Sequence, residues 1–161
     1  MSGCVVWFTG LPASGKTTLA RRVRELAGDG VLLDSDEVRI ALGAGGYDRT
    51  DRDAFYRTLA ALAGLLARQD HLVLVAATAP HSAHREQARA QAPRFIEVHV
   101  ATPLATCETR DVKGLYAKAR AGEAPALPGV GERYDAPHAP DVVATGGHDE
   151  AAAKAVVRLV R

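Results

Sequence analysis

The sequence predicts an α/β fold of three layers, with a mostly parallel central sheet flanked by helices, in one domain over residues 1–161. Three observations predict it. Short, continuous apolar runs at residues 5–9, 71–76 and 95–100 suit strands buried on both faces. Segments of helical periodicity stand between them, as βαβ units require. The first run passes directly into a glycine-rich loop and then a helix.

Residues 5–9 (Val-Val-Trp-Phe-Thr) read as the first strand, with Trp7 as a core residue. Residues 10–15 are a loop, and 16–27 a helix. A short second strand at 31–33 ends at Asp34. Residues 51–69 read as a helix with Leu59, Leu62, Leu65 and Leu66 on one side. A strand at 71–76, a helix at 83–91 and a strand at 95–100 follow. Two helices are expected at 103–110 and 114–121. Residues 123–140 are rich in Pro and Gly and read as a loop or lid, so the whole lid segment covers about 114–140. A last strand at 141–144 precedes a terminal helix at 150–160. Ligands of such sheets sit beyond the carboxyl ends of the strands. The loop 10–15, the stretch 34–36 and the stretch 78–80 all follow strands, so they are expected to line one crevice.

Composition bounds the rest. A chain of 161 residues with 47% apolar residues fits one domain with a real core. A net charge of +1, with acids and bases scattered, gives no nucleic-acid groove and no membrane-seeking face. The apolar stretches fall well short of the run of about 20 that a spanning helix needs. The first apolar run reads as a core strand and not as a signal peptide, so the cytoplasm is the expected compartment. Cys4 and Cys107 lack metal-ligand spacing and read as buried, reduced thiols. His81 and His84 are three apart with no evident third ligand, which disfavours a metal site. His81 follows Pro80 at the crevice edge, within reach of a ligand.

Residues 10–17, Gly-Leu-Pro-Ala-Ser-Gly-Lys-Thr, fit G-x-x-x-x-G-K-[ST] at every fixed position, with a buried strand before and a helix after. The glycines let the backbone curl so that successive N–H groups face phosphate oxygens. The helix start adds its free N–H groups and partial positive charge. Gly10, Ala13, Ser14, Gly15, Lys16, Thr17 and Thr18 are therefore the expected ATP-binding residues. Lys16 would reach the β- and γ-phosphates, and the Thr17 hydroxyl would ligate Mg²⁺.

The loop alone does not separate kinases from GTPases or motor ATPases. A GTPase normally carries N-K-x-D; the nearest match, Asp-Val-Lys-Gly at 111–114, lacks the Asn and the final Asp. A motor ATPase usually has an acid closing a central strand, whereas 71–76 runs on to Thr78-Ala79-Pro80. The acids instead follow the short second strand, at Asp34 and Asp36. That placement suits a small-molecule kinase, in which an acid meets an acceptor hydroxyl and the metal. Capping the following helix is the competing structural role for Asp36.

Beyond the loop, five further stretches resemble adenylylsulfate (APS) kinase, a three-layer P-loop kinase with a lid. They are Leu-Asp-Ser-Asp-Glu-Val-Arg at 33–39, Asp51-Arg52, Arg-Phe-Ile-Glu-Val at 94–98, the long run at 107–123, and Tyr-Asp-Ala-Pro at 134–137. The resemblance covers nearly the whole chain. It implies transfer of the γ-phosphate of ATP to the 3′-hydroxyl of adenosine 5′-phosphosulfate. It further implies that Asp36 orients or deprotonates the acceptor hydroxyl and helps organise Mg²⁺, with Asp34 as its supporting partner and Lys16 completing the catalytic set. Arg39 and Arg52 look like cationic contacts to the acceptor, and Arg110 like the residue flanking the ATP base. Lys118 and Arg120 sit in the lid that closes over both nucleotides. A homodimer is left open as the assembly.

The departures from the family fall on the acceptor side. Ser35 replaces a Gly. Phe55 stands where the family has the Asn that contacts the acceptor. Ala77-Thr78-Ala79-Pro80 replaces Phe-Ile-Ser-Pro. Ala126-Leu127-Pro128-Gly129 replaces Asn-Phe-Thr-Gly, so Leu127 takes the place of one aromatic wall of the acceptor-base clamp. Tyr47 resembles the other wall. Phe55, Thr78, Tyr47 and Leu127 are thus expected beside the acceptor. Two other readings stay open: a kinase for a different modified nucleotide, such as a cytidine diphosphate derivative, and a nucleotide-binding module without transfer activity.

Overall fold

The computed structural model describes residues 3–111, 113–123 and 127–161. Val112 and Ala126 of the family-like stretches, and residues 124–126 of the expected lid, lie outside the described residues.

In chain order, strand β1 (Cys4–Thr9) is followed by helix α1 (Lys16–Ala27), β2 (Val31–Asp34), α2 (Ser35–Leu42), α3 (Arg49–Ala67), β3 (Leu72–Ala76) and α4 (Ser82–Gln91). Then come β4 (Phe95–Val100), α5 (Leu104–Arg110), α6 (Leu115–Arg120), the two-residue strands β5 (Leu127–Pro128) and β6 (Gly131–Glu132), β7 (Val142–Ala144) and α7 (Glu150–Val160). The main sheet has the order β2-β3-β1-β4-β7, and every pair in it is parallel.

The central strand divides the core by its pleat, since successive side chains leave opposite faces. Val6 and Phe8 pack with Leu19 and Val23 of α1 and Val156 and Val157 of α7. Val5 and Trp7 pack with Phe55, Tyr56 and Leu59 of α3 and Ala88 of α4. Trp7 is fully buried, and its indole N–H donates to the Ala77 carbonyl at 3.2 Å. Both cysteines are buried and free.

Helix α3 corrects the sequence expectation. Of the expected leucine face, Leu59 is buried, but Leu65 is 49% exposed. The buried face is Phe55, Tyr56, Leu59, Ala60, Ala63, Gly64 and Ala67. Small residues win there because α4 comes very close. A Cβ on Gly64 would lie 2.9 Å from the Gln91 carbonyl oxygen. The helix also starts earlier than expected, because the Asp48 side chain accepts from the Asp51 N–H at 2.8 Å and caps it.

The described residues of the segment 114–140 include α6 and the short strands β5 and β6. Tyr116, Leu127 and Cys107 form a third apolar cluster against Leu11 and Ala13. The Tyr116 hydroxyl donates to the Pro12 carbonyl at 2.7 Å. This segment therefore lies down on the glycine loop.

Candidate active site

The glycine loop leaves β1 and is shaped by steric demands at both ends. A Cβ at Gly10 would sit 2.6 Å from the Val100 carbonyl oxygen. Gly15 has φ 100°, and a Cβ there would sit 2.6 Å from the Gly147 nitrogen. Only glycine fits either position. Ala13 takes the left-handed region with φ 64°. The Ser14 carbonyl accepts from the Thr102 hydroxyl at 2.6 Å, which ties the loop to the end of β4. Gly15 caps α1 without a side-chain bond, and no acid stands in the first turn. The helix start thus keeps its N–H groups for an anion.

Lys16 folds back onto the loop. Its Nζ donates to the carbonyls of Gly10 at 3.1 Å and Leu11 at 2.9 Å. Burial lowers its pKa to about 8, against the opposing pull of the nearby Cys107, Asp36 and Asp34.

The acid pair is built by the β2–α2 junction. β2 ends at Asp34 in extended backbone (φ −80°, ψ 129°), and its side chain accepts from the N–H groups of Asp36 at 2.9 Å and Glu37 at 3.4 Å. The helix cap is therefore Asp34. Asp36 lies one turn position further on, with its side chain 55% exposed and ion-paired with Lys113. The capping role weighed for Asp36 is corrected: the residue that stops the strand does the capping, and Asp36 is left for other work. The second Asp34 oxygen accepts a short hydrogen bond from the Thr17 hydroxyl. Glycine loop, acid pair and Lys113 thus meet at the carboxyl ends of β1 and β2.

On the far side, Arg39 projects from α2 and donates to the Gly46 carbonyl at 3.2 Å. Its guanidinium carbon lies 3.9 Å from the Phe55 ring centroid and 4.5 Å from that of Tyr47. Arg52 lies 3.6 Å from Glu132, which also pairs with His81 at 3.2 Å. Tyr47, Arg52, Asp53, His81 and Glu132 border a cavity of about 180 Å³. His84 meets Asp53 at 2.7 Å. Burial holds the His84 ring below its usual pKa, partly offset by Asp53.

Several expected residues behave differently. Phe55 is only 3% exposed and lies under Arg39, so it does not face an acceptor base directly. Leu127 is 9% exposed and packs with Tyr116 and Cys107. In both cases the apolar side chain takes the buried position. Thr78 is half-buried, and its carbonyl accepts from the Thr9 hydroxyl at 2.6 Å. Arg110 donates to the Ala13 carbonyl at 3.2 Å and reaches the loop from α5. Lys118 and Arg120 are exposed, and Arg120 pairs with Glu108.

Other participants carried little sequence signal. Lys113 stands inside a motif-like stretch, but its partner Asp36 is 77 positions away. Tyr56 accepts from the Ala79 N–H at 3.1 Å. The buried Arg85 pairs with Glu97 at 3.2 Å and donates to the Ala79 carbonyl at 2.6 Å. These two residues hold the β3–α4 loop, where Ala79 has φ 43°. The Gly146-Gly147 turn abuts Gly15 through close backbone approach, a contact that two small residues do not announce.

Comparisons with known proteins agree with this geometry. The family model for adenylylsulphate kinase matches residues 2–145. The adenylyl-sulfate kinase of Deinococcus deserti is 47% identical over 88% of this chain and 81% of its own length. A probable bifunctional SAT/APS kinase of Sorangium cellulosum is 42% identical over 99% of this chain, and the chain spans 29% of that longer protein. The Mycobacterium tuberculosis APS kinase CysC, solved in complex with AMPPNP and APS, superposes with a TM-score of 0.89 at 40% identity, covering 98% of this chain and 97% of that one. The chain belongs to the adenylylsulphate kinase family.

Proposed function

We infer that the chain transfers the γ-phosphate of ATP to the 3′-hydroxyl of adenosine 5′-phosphosulfate. One observation carries the mechanism: the Thr17 hydroxyl bonds Asp34, the residue that caps the helix bearing Asp36 and Arg39. The donor loop and the acceptor-side acid are therefore built as one unit. In this reading Lys16 and the start of α1 hold the β- and γ-phosphates, and Thr18 and Arg110 flank the nucleotide. Asp36 takes the proton of the acceptor hydroxyl or orients it, and Arg39 and Arg52 meet the anionic acceptor. Phosphoryl transfer asks mainly for positioning and charge neutralisation, and this set supplies both.

Mg²⁺ belongs to the proposal. Thr17, Asp34 and Asp36 offer the oxygen donors that a hard dication prefers. Such an ion is commonly shared with phosphate oxygens and water. When bound, it would neutralise charge on the transferring phosphate. Thr17 and Asp36 would hold it. A cytoplasmic homodimer goes with this reading as an expectation. Among the described residues no helix is long and apolar enough to cross a membrane.

The test is an acceptor panel with ATP and Mg²⁺. The highest kcat/KM is expected for adenosine 5′-phosphosulfate. A clear preference for another nucleotide, such as a cytidine diphosphate derivative, would overturn the acceptor. ATP binding without transfer to anything would mark a non-catalytic module.

A further inference from the structure

Phe55 is buried beneath Arg39, one of the residues proposed to meet the acceptor. The Arg39 guanidinium carbon lies over the Phe55 ring at 3.9 Å and over the Tyr47 ring at 4.5 Å. Phe55 is itself fixed. It is 3% exposed and meets the Tyr56 ring edge-on at 5.5 Å. Tyr56 is held in turn through its hydroxyl, which accepts from the Ala79 N–H at 3.1 Å. A continuous stack therefore runs from the β3–α4 loop through Tyr56 and Phe55 to Arg39 and Tyr47.

A guanidinium that lies over aromatic rings presents its edge for hydrogen bonding, and a bidentate anion docks on such an edge. An Arg on an exposed helix otherwise loses several rotatable bonds on meeting its ligand. Here the aromatic faces have fixed the plane beforehand, which favours binding through preorganisation. One edge nitrogen is anchored on the Gly46 carbonyl at 3.2 Å.

We propose that Phe55 is a positioning residue for the acceptor: its ring presets Arg39 for the acceptor's anionic group. This rests on the acceptor reading above. Phe55 lies against Arg39 and Tyr56, so its effect is expected on the acceptor rather than on ATP.

The experiment compares wild type, Phe55→Tyr and Phe55→Leu, each with Arg39 intact and as Arg39→Ala. Steady-state rates are measured with adenosine 5′-phosphosulfate and ATP varied in turn. Phe55→Leu is expected to raise the acceptor KM about tenfold, with kcat changed by less than about twofold and the ATP KM unchanged. Phe55→Tyr keeps the ring face and is expected to rescue the acceptor KM. With Arg39→Ala, Phe55→Leu is expected to add nothing. An unchanged acceptor KM in Phe55→Leu, an equal rise in both KM values, or a full effect without Arg39 overturns the proposal. If Phe55→Leu does not fold, Phe55→Met carries the same expectations. Calorimetric titration with adenosine 5′-phosphosulfate separates this proposal from the acceptor reading. A wild type that binds it without transfer refutes the reading and leaves the variants' Kd to judge Phe55 by the same pattern. A wild type that does not bind it overturns both.

Discussion

The Thr17 hydroxyl donates to the Asp34 carboxylate, joining the last residue of the glycine-loop motif to the cap of the neighbouring helix. Asp34 thus has two duties: one oxygen holds the start of α2, and the other holds the loop. Asp34→Asn keeps an acceptor for the cap, whereas Asp34→Ala removes it. Unfolding is expected to show a loss of about 1 kcal/mol for Ala beyond that for Asn. Both variants are expected to lose most activity. Equal stability of the two, measured by urea titration, contradicts the capping role.

Asp36 makes no cap and no core contact, so its removal is expected to spare the fold. Asp36→Asn is expected to lower kcat by about 10²–10⁴-fold, as loss of a general base does, with ATP affinity nearly unchanged. Rapid-quench rates and nucleotide titration measure the two separately. Equal losses in both would make Asp36 structural.

Lys16 gives a pH signature. Burial brings its pKa to about 8, and a bound phosphate would raise it again by pairing with the ammonium. Below about pH 8 the group is charged in both states, so affinity does not depend on it. As pH rises through about 8, the free enzyme loses the proton that the complex keeps. ATP binding is then expected to weaken and to take up a proton. Calorimetry at pH 9 in two buffers of different ionisation enthalpy checks this; absence of proton uptake contradicts it. In the apoprotein the sign is the same as for any cation with a depressed pKa. The unfolded chain holds more protons between about 8 and the usual value of 10.5, so this group's contribution to stability rises with pH across that window.

Arg85 and Glu97 form a buried pair, with side chains 2% and 6% exposed. Removing one partner of such a pair costs about 3–5 kcal/mol where the other is left alone, and Arg89, 3.6 Å from Glu97, offsets part of that cost. Arg85→Met is expected to fall at the lower end of that range, about 3 kcal/mol, with the β3–α4 loop loosened through the lost bond to Ala79. A loss below about 1 kcal/mol in urea unfolding contradicts the assignment.

The sheet was legible because its strands are continuous apolar runs, and because glycines at Gly10 and Gly15 and a terminal Lys-Thr mark one kind of loop. The acid pair was legible from its place after a strand. The acceptor side was less so. At Phe55 and Leu127 sequence position suggested contact with a base, yet burial of apolar area put one beneath Arg39 and the other beside Tyr116. Contacts such as Lys113 with Asp36 join residues far apart in the chain, and no local pattern encodes them. The α3 face was misread because leucines signal burial more strongly than alanines, although close helix contact selects the small residues.

The most direct test of the central claim follows the label from γ-labelled ATP with adenosine 5′-phosphosulfate and Mg²⁺, for wild type and Asp36→Asn. The expected result is rapid labelling of the acceptor's 3′ position by wild type and loss of that labelling in the variant. Label that appears only in inorganic phosphate, or on a different acceptor offered in the same mixture, would contradict it.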